Sequence, residues 1–330
     1  MKAFQYVNPA NEREAVAALG TERNRILPMA GGMDLLGLMK DYIVSPERVV
    51  NLKGLDGTIT ADGSRQAGGL RIGAAAKIAD VAEHADIRRL YPALTTAAEE
   101  VGTPQIRNMG TVGGNLMQRP RCWYFRNEEF NCLKKGGSRC FAVEGENQYH
   151  AIFGDGPCHI VHPSSLAVPL IAYGARVRVL GPAGAREIDL GEFYQLPNQN
   201  LYGETVLQPN EIVTHVMLPP TGPQKSASYE VRVKQSHDWP LALASVHLVM
   251  DRDVVKSARV VMGAVAPVPW RAPGAERVLT GRPVNEAVAI EAATAAVAGA
   301  RAMSGNAHKI QIARTAVKRA ILKAAGLPVA

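Results

Sequence analysis

PMAGGMDLLGLMK (Pro28–Lys40) sets a short apolar run, a pair of glycines and an apolar helical repeat in direct succession. The run RILPMA ahead of Gly31 and Gly32 has the composition of a strand, and LLGLMKDYI behind them is apolar at helical spacing. Adjacent glycines lack the Cβ barrier, so the backbone can turn sharply and present several N–H groups in one concavity. The helix that follows aims the positive end of its dipole at the same point. A turn of this kind suits a phosphate group, and also an ordinary helix entry. Working outward, NEREAVAALG after Pro9 reads as a helix and RVVNL as a second strand. Strand and helix alternating at this pitch over residues 1–55 predict a small parallel sheet.

A second glycine cluster lies in IRNMGTVGGNLMQ (Ile106–Gln118), with Gly110, Gly113 and Gly114 close together. Two such loops can jointly clamp a pyrophosphate, which needs more N–H donors than one loop supplies. Neither GxGxxG nor GxxxxGK[ST] occurs, which argues against a Rossmann unit and a nucleoside triphosphatase. Around this cluster, residues 56–220 carry the short strands GLRIGAAA, ARVRVLG and EIVTHVMLP and the helical stretch PALTTAAEEVG. That block reads as α+β. Beyond Pro219 and Pro220, the strands SYEVRVKQ, ALASVHLVM and SARVVMGAV precede Ala-rich helical runs from Val284 to Ala325, which predicts a C-terminal antiparallel sheet with helices over residues 221–330.

A chain of 330 residues, 47% hydrophobic and 20% charged, is long enough for two or three domains with a sizeable core. Its net charge of +7 suits an anionic ligand or an acidic partner, but it is too diffuse, with aromatics at 5%, for nucleic-acid binding. No apolar run reaches the ~18 residues of a membrane span. MKAFQYVNPA at the N-terminus has neither the apolar core nor the cleavage site of a signal peptide, so export would have to rest on a partner. GxSxG, HExxH and clustered carboxylates with a partner His are all missing from the sequence, and no catalytic residue is expected.

All four cysteines fall between Cys122 and Cys158, in CWYFRNEEFNCLKKGGSRCFAVEGENQYHAIFGDGPC, spaced Cys-x9-Cys-x7-Cys-x17-Cys. Zinc sites usually contain a close CxxC-like pair, and none is present. Disulfides need an oxidising compartment, and a chain with its own core does not depend on them. Four thiolates are also the full ligand set of an iron–sulfur cubane, around which so widely spaced a loop would have to wrap. Cluster, zinc, disulfides and free thiols all stay open on the residues alone.

AGGMDLLGLMK followed by IRNMGTVGGNL, then HPSSLAVPLIAYGA and NEIVTHVMLP, resembles the FAD-binding medium subunit of the xanthine dehydrogenase and carbon monoxide dehydrogenase group of molybdenum hydroxylases. The likeness runs essentially the whole chain. It implies a two-part FAD-binding domain, with subdomain 1 at residues 1–55 and subdomain 2 at 56–220, ahead of the C-terminal α+β domain. The four-cysteine insertion, about residues 119–160, is similar to that of the FAD subunit of bacterial molybdenum-dependent aldehyde oxidoreductases. The resemblance therefore implies a [4Fe–4S] cluster on Cys122, Cys132, Cys140 and Cys158. Lys134, Lys135 and Arg139 would offset part of its negative charge, and His150, His159 and His162 would be structural.

For FAD, the resemblance assigns one pyrophosphate loop to Pro28, Met29, Ala30, Gly31, Gly32, Met33, Asp34 and Leu35. The second comprises Thr111, Gly113, Gly114 and Asn115, with Asn108 as a polar contact just before it. Ser165 stands where the family often has an Asp contacting the nucleotide, which leaves a hydroxyl in place of a carboxylate. Val213 corresponds to an aliphatic residue beside the flavin and Lys234 to a lysine near its ring, with His237 and Asp238 close behind. The partners implied are a large subunit with the molybdenum cofactor and a small subunit with two [2Fe–2S] clusters. Electrons would pass from molybdenum through the iron–sulfur centres to FAD, in an enzyme that oxidises an aldehyde to a carboxylic acid. A stand-alone flavin oxidase of the same wider fold is the alternative. Location in the periplasm by co-export with a signal-bearing partner is expected, with the cytoplasm as the alternative; the aldehyde and the electron acceptor are not encoded in this chain.

Overall fold

Three sheets form among residues 1–62, 68–222, 224–234 and 237–329, which are the residues the computed structural model describes. The first is parallel, with β1 (Gln5–Val7), β2 (Ile26–Met29) and β3 (Arg48–Asn51) in the order β1-β3-β2. The helix Glu12–Ala18 between β1 and β2 is capped by Asn11, whose side chain accepts from Glu14 N–H, while Glu14 reaches back to the Ala10 N–H. The strand β1 escapes the sequence reading because three half-exposed residues are too short to show alternation. Leu38, Met39, Val44 and Val49 form a core here that also takes in Phe125 and Cys132, so the cysteine loop packs on this unit.

The second sheet is antiparallel, with β4 (Ile59–Asp62), β5 (Gly69–Gly73), β6 (Arg176–Gly181), β7 (Gly184–Asp189) and β8 (Ile212–Leu218) in the order β4-β5-β8-β6-β7. In β6, Val177 and Val179 are buried while Arg176 and Arg178 face outward, the period-two signature of a sheet with one covered face. The helices Ile78–Glu83, Pro92–Glu99 and Ala167–Tyr173 cover it around Ile72, Tyr91, Leu94, Leu170 and Val216.

The third sheet is antiparallel, with β9 (Gln224–Arg232), β10 (Pro240–Asp251), β11 (Val254–Gly263) and β12 (Trp270–Arg271) in the order β12-β11-β10-β9. Its core runs from Val246 and Val260 to the helices Glu286–Ala296 and His308–Ala325, where alanines at helical spacing permit close approach. The expected strand SYEVRVKQ ends earlier, at Arg232, and its last residue, Gln235, lies outside the described residues. The α+β class and the parallel-then-antiparallel order are those expected. What the sequence misses is that the second glycine cluster is not an open loop. It is two short helices, Pro104–Met109 and Val112–Leu116, capped by the Thr103 and Thr111 hydroxyls. No helix among the described residues is long and apolar enough to cross a membrane.

Candidate functional site

A cleft of about 590 Å3 opens at the C-terminal end of β2, where the parallel unit meets the second sheet. It brings together the whole run from Pro28 to Leu35 with Thr111, Gly113, Gly114, Asn115, Ser165 and Val213. Backbone proximity explains two of the glycines. A Cβ on Gly31 would overlap the Met109 carbonyl, and one on Gly113 would stand 2.9 Å from the Ala74 Cβ. Gly32 is needed for its positive φ of 73°. Gly114 differs from these: a Cβ there meets only the Thr111 hydroxyl, at 3.0 Å, which is the cap that accepts the Gly114 N–H. Asn115 is held by Ser164, whose hydroxyl donates to Asn115 Oδ1 over 2.6 Å.

Two expected contacts lie outside the cleft lining. Asn108 is exposed and its Nδ2 donates to the Pro104 carbonyl one helical turn back. Lys234 is exposed two residues past the end of the third sheet's edge strand. His237 and Asp238 do line the cleft, and the His237 Nδ1–H donates to the Gly102 carbonyl. The sequence gives no sign of Glu230, Arg121 or Trp239, which also line it. Glu230 is one member of an alternating strand, and burial pushes its carboxyl up to about 8, against the opposing pull of the Arg232 Nε 3.3 Å away, whose Nη2 also meets Glu100. The Arg121 guanidinium lies 4.8 Å over the Trp239 ring.

Asp34 faces away from the other loop residues in chemistry. Its carboxylate accepts from Arg119 N–H at 2.8 Å, Arg126 at 2.5 Å and Arg121 at 3.0 Å. All three belong to the segment around Cys122, so one carboxylate ties the first glycine loop to the cysteine loop.

All four cysteines line a single small cavity, of about 10 Å3, together with Tyr124, Phe125, Leu133, Lys134, Phe141, His150 and Ile160. Every thiol is free. Backbone amides point at the sulfurs: Tyr124 and Phe125 at Cys122, Ala142 and His159 at Cys140, Ile160 at Cys158. Burial raises Cys122 to about 11. The Cys140 and Cys158 thiols hydrogen-bond to each other, which lowers Cys140 and raises Cys158. Among the described residues no three His, Cys, Asp or Glu side chains are grouped as ligands of one metal ion. Lys134 is buried and bound to Glu204 at 2.9 Å, Lys135 to the Asn127 carbonyl, and exposed Arg139 to Glu144 at 3.4 Å, so none of the three reaches a sulfur with a hydrogen bond. His150 does, its Nε2 standing 3.3 Å from Cys122 Sγ.

A parallel unit and an antiparallel unit meeting at a cleft walled by two glycine loops define a dinucleotide-binding subunit built without the GxGxxG turn. Residues 2–221 match the family model described as the FAD binding domain in molybdopterin dehydrogenase, and residues 227–324 that of the CO dehydrogenase flavoprotein C-terminal domain. The chain belongs to this family: it is an FAD-binding medium subunit of the molybdenum hydroxylases, an oxidoreductase subunit. It is 38% identical to the aldehyde oxidoreductase FAD-binding subunit PaoB of Escherichia coli (strain K12), over 85% of this chain and 87% of that protein. It is 26% identical to the carbon monoxide dehydrogenase medium chain of Hydrogenophaga pseudoflava, over 96% of each. A solved structure of carbon monoxide dehydrogenase from that organism superposes with a TM-score of 0.76 at 25% identity, covering 98% of both chains.

Proposed function

We propose that this chain is the electron-transfer subunit of an aldehyde-oxidising molybdenum hydroxylase, carrying FAD in the large cleft and a [4Fe–4S] cluster on Cys122, Cys132, Cys140 and Cys158. The observation that carries the flavin part is the meeting of both glycine loops on one cleft, where Gly31 and Gly113 leave no room for side chains and a Cβ on Gly114 would meet only the Thr111 hydroxyl. Met29–Asp34 would hold the pyrophosphate through backbone N–H groups, with Thr111–Asn115, Ser165 and Val213 along the wall; the expected amide donors of the second loop are engaged within the fold, Val112 to Ala76, Gly113 to Ala74, and Gly114 and Asn115 to Thr111. FAD, when bound, supplies a centre that exchanges electrons singly or in pairs; the protein's part is to bind it and set its surroundings. The aldehyde reading rests on the 38% identity to an aldehyde oxidoreductase subunit.

The cysteine cavity fits the cluster by its donor set: four free thiols converge there, and amide N–H groups are aimed at three of them. A cubane distributes its ligands over four corners, so it needs no three side chains around one point. Electrons would arrive from a large molybdenum subunit through a small subunit with two [2Fe–2S] clusters. The test is anaerobic purification of the tagged chain with its co-expressed partners. About four irons in this chain beyond those of the small subunit, one FAD, and bleaching of both by an aldehyde are expected. A chain that carries zinc or no metal defeats the cluster assignment, and one that oxidises aldehydes without a molybdenum subunit defeats the electron-transfer assignment.

A further inference from the structure

The cysteine cavity holds an imidazole beside its four thiols. His150 lines it, with Nε2 3.3 Å from Cys122 Sγ, while its other ring nitrogen, Nδ1, is buried without a partner. Once Cys122 is a ligating thiolate, which has no S–H to donate, these two facts fix the tautomer. A proton on Nδ1 would leave a buried donor unsatisfied and set the Nε2 lone pair against sulfur, whereas a proton on Nε2 gives an N–H···S hydrogen bond. The ring cannot easily turn away. Trp123 and Tyr124 pack on it at 5.6 and 6.1 Å between centroids. Its backbone N–H donates to Asn147, and its carbonyl accepts from Asn306 Nδ2 and Lys309 Nζ at the start of the last helix. The nearby cations are occupied elsewhere, as described above, so among the described residues His150 is the side-chain N–H that bonds a cysteine sulfur.

We propose that His150 is a positioning residue of the four-cysteine centre, donating its Nε2–H to the Cys122 sulfur and thereby raising the reduction potential of the cluster held there. The inference rests on the [4Fe–4S] reading. An added electron places more negative charge on the ligand sulfurs, and a donor aimed at one of them stabilises the reduced form more than the oxidised form. The histidine keeps its proton throughout; the cluster gains one electron and no bond is broken. With Tyr124 N–H and Phe125 N–H, Cys122 then receives three donors.

The test is an EPR-monitored redox titration of the assembled complex with wild-type chain, His150→Phe and His150→Gln. His150→Phe should lower the potential of the four-iron centre about tenfold in the equilibrium, ~59 mV for a one-electron couple, with the flavin unmoved. His150→Gln, whose amide can still donate, should recover part of the shift. Four irons retained in His150→Phe at the wild-type potential would overturn the inference and leave the cluster reading intact, whereas a wild-type chain without iron would remove both. If His150→Phe does not assemble the centre, pulsed EPR of wild-type complex labelled with histidine carrying ¹⁵N in the imidazole ring alone decides, because a backbone label would also report the His159 amide at Cys140. A weak coupling is expected, and either no coupling or the strong coupling of a directly bound nitrogen refutes the hydrogen bond.

Discussion

Glycines that look equivalent in the sequence differ in what a side chain would meet. Gly31→Ala sets a methyl against the Met109 carbonyl and should disrupt the junction of the two loops, lowering the melting temperature together with flavin content. Gly114→Ala meets only the Thr111 hydroxyl, so the protein should fold while FAD affinity falls roughly tenfold, about 1.4 kcal/mol, which flavin titration of the apoprotein measures. Full FAD affinity in a folded Gly114→Ala protein would move the phosphates away from this loop. Glu230 gives a pH dependence. Its folded pKa is raised by burial to about 8 from an ordinary 4.5, so folding favours the protonated carboxyl. Its stabilising effect is complete below about pH 4.5 and is lost as pH rises toward 8, with a slope of at most about 1.4 kcal/mol per pH unit. Thermal unfolding between pH 5 and 8 should show that decline in the wild type and a flatter profile in Glu230→Gln.

Secondary elements and loops carry the link between the two candidate centres. The segment around Cys122 is held against the N-terminal end of the helix Leu35–Lys40 by Asp34, which meets Arg119, Arg121 and Arg126 within 3.0 Å. Asp34→Asn keeps the shape and removes the charge, leaving two partly buried guanidinium groups without their carboxylate at a cost of about 1 to 3 kcal/mol. Because the same residue closes the first glycine loop, iron and flavin content should fall together in this variant. Iron and flavin at wild-type levels would show that the two loops are positioned independently. The helical caps at Thr103 and Thr111 were present in the sequence as Thr-Pro and Gly-Thr-Val, yet the glycines around them masked the signal, since a run of glycines reads locally as a break.

Over the whole molecule, the last helix and the cysteine loop close on each other. Lys309 is almost fully buried and donates to the carbonyls of Tyr149, His150 and Ala264 within 3.1 Å. Lys309→Met should take this donor from the Tyr149 and Ala264 carbonyls, leaving the His150 carbonyl to Asn306, destabilise the protein by about 2 to 4 kcal/mol and make bound iron labile to chelators, measured by denaturant unfolding and timed iron release. A protein of unchanged stability and iron retention would reduce this contact to incidental packing. The sequence by itself determined the alternation of strand and helix, the order of parallel and antiparallel sheets, and the two glycine stretches, because periodicity and missing side chains are local properties of the chain. It also held the four cysteines within one segment. Only the tertiary structure decided that both glycine stretches wall one cleft, that Asn108 and Lys234 stay outside it, that Asp34 turns to three arginines, and that His150 meets Cys122. Each of these depends on which distant backbone lies within about 3 Å of a given atom, the reach of a hydrogen bond. No window along the sequence contains that distance.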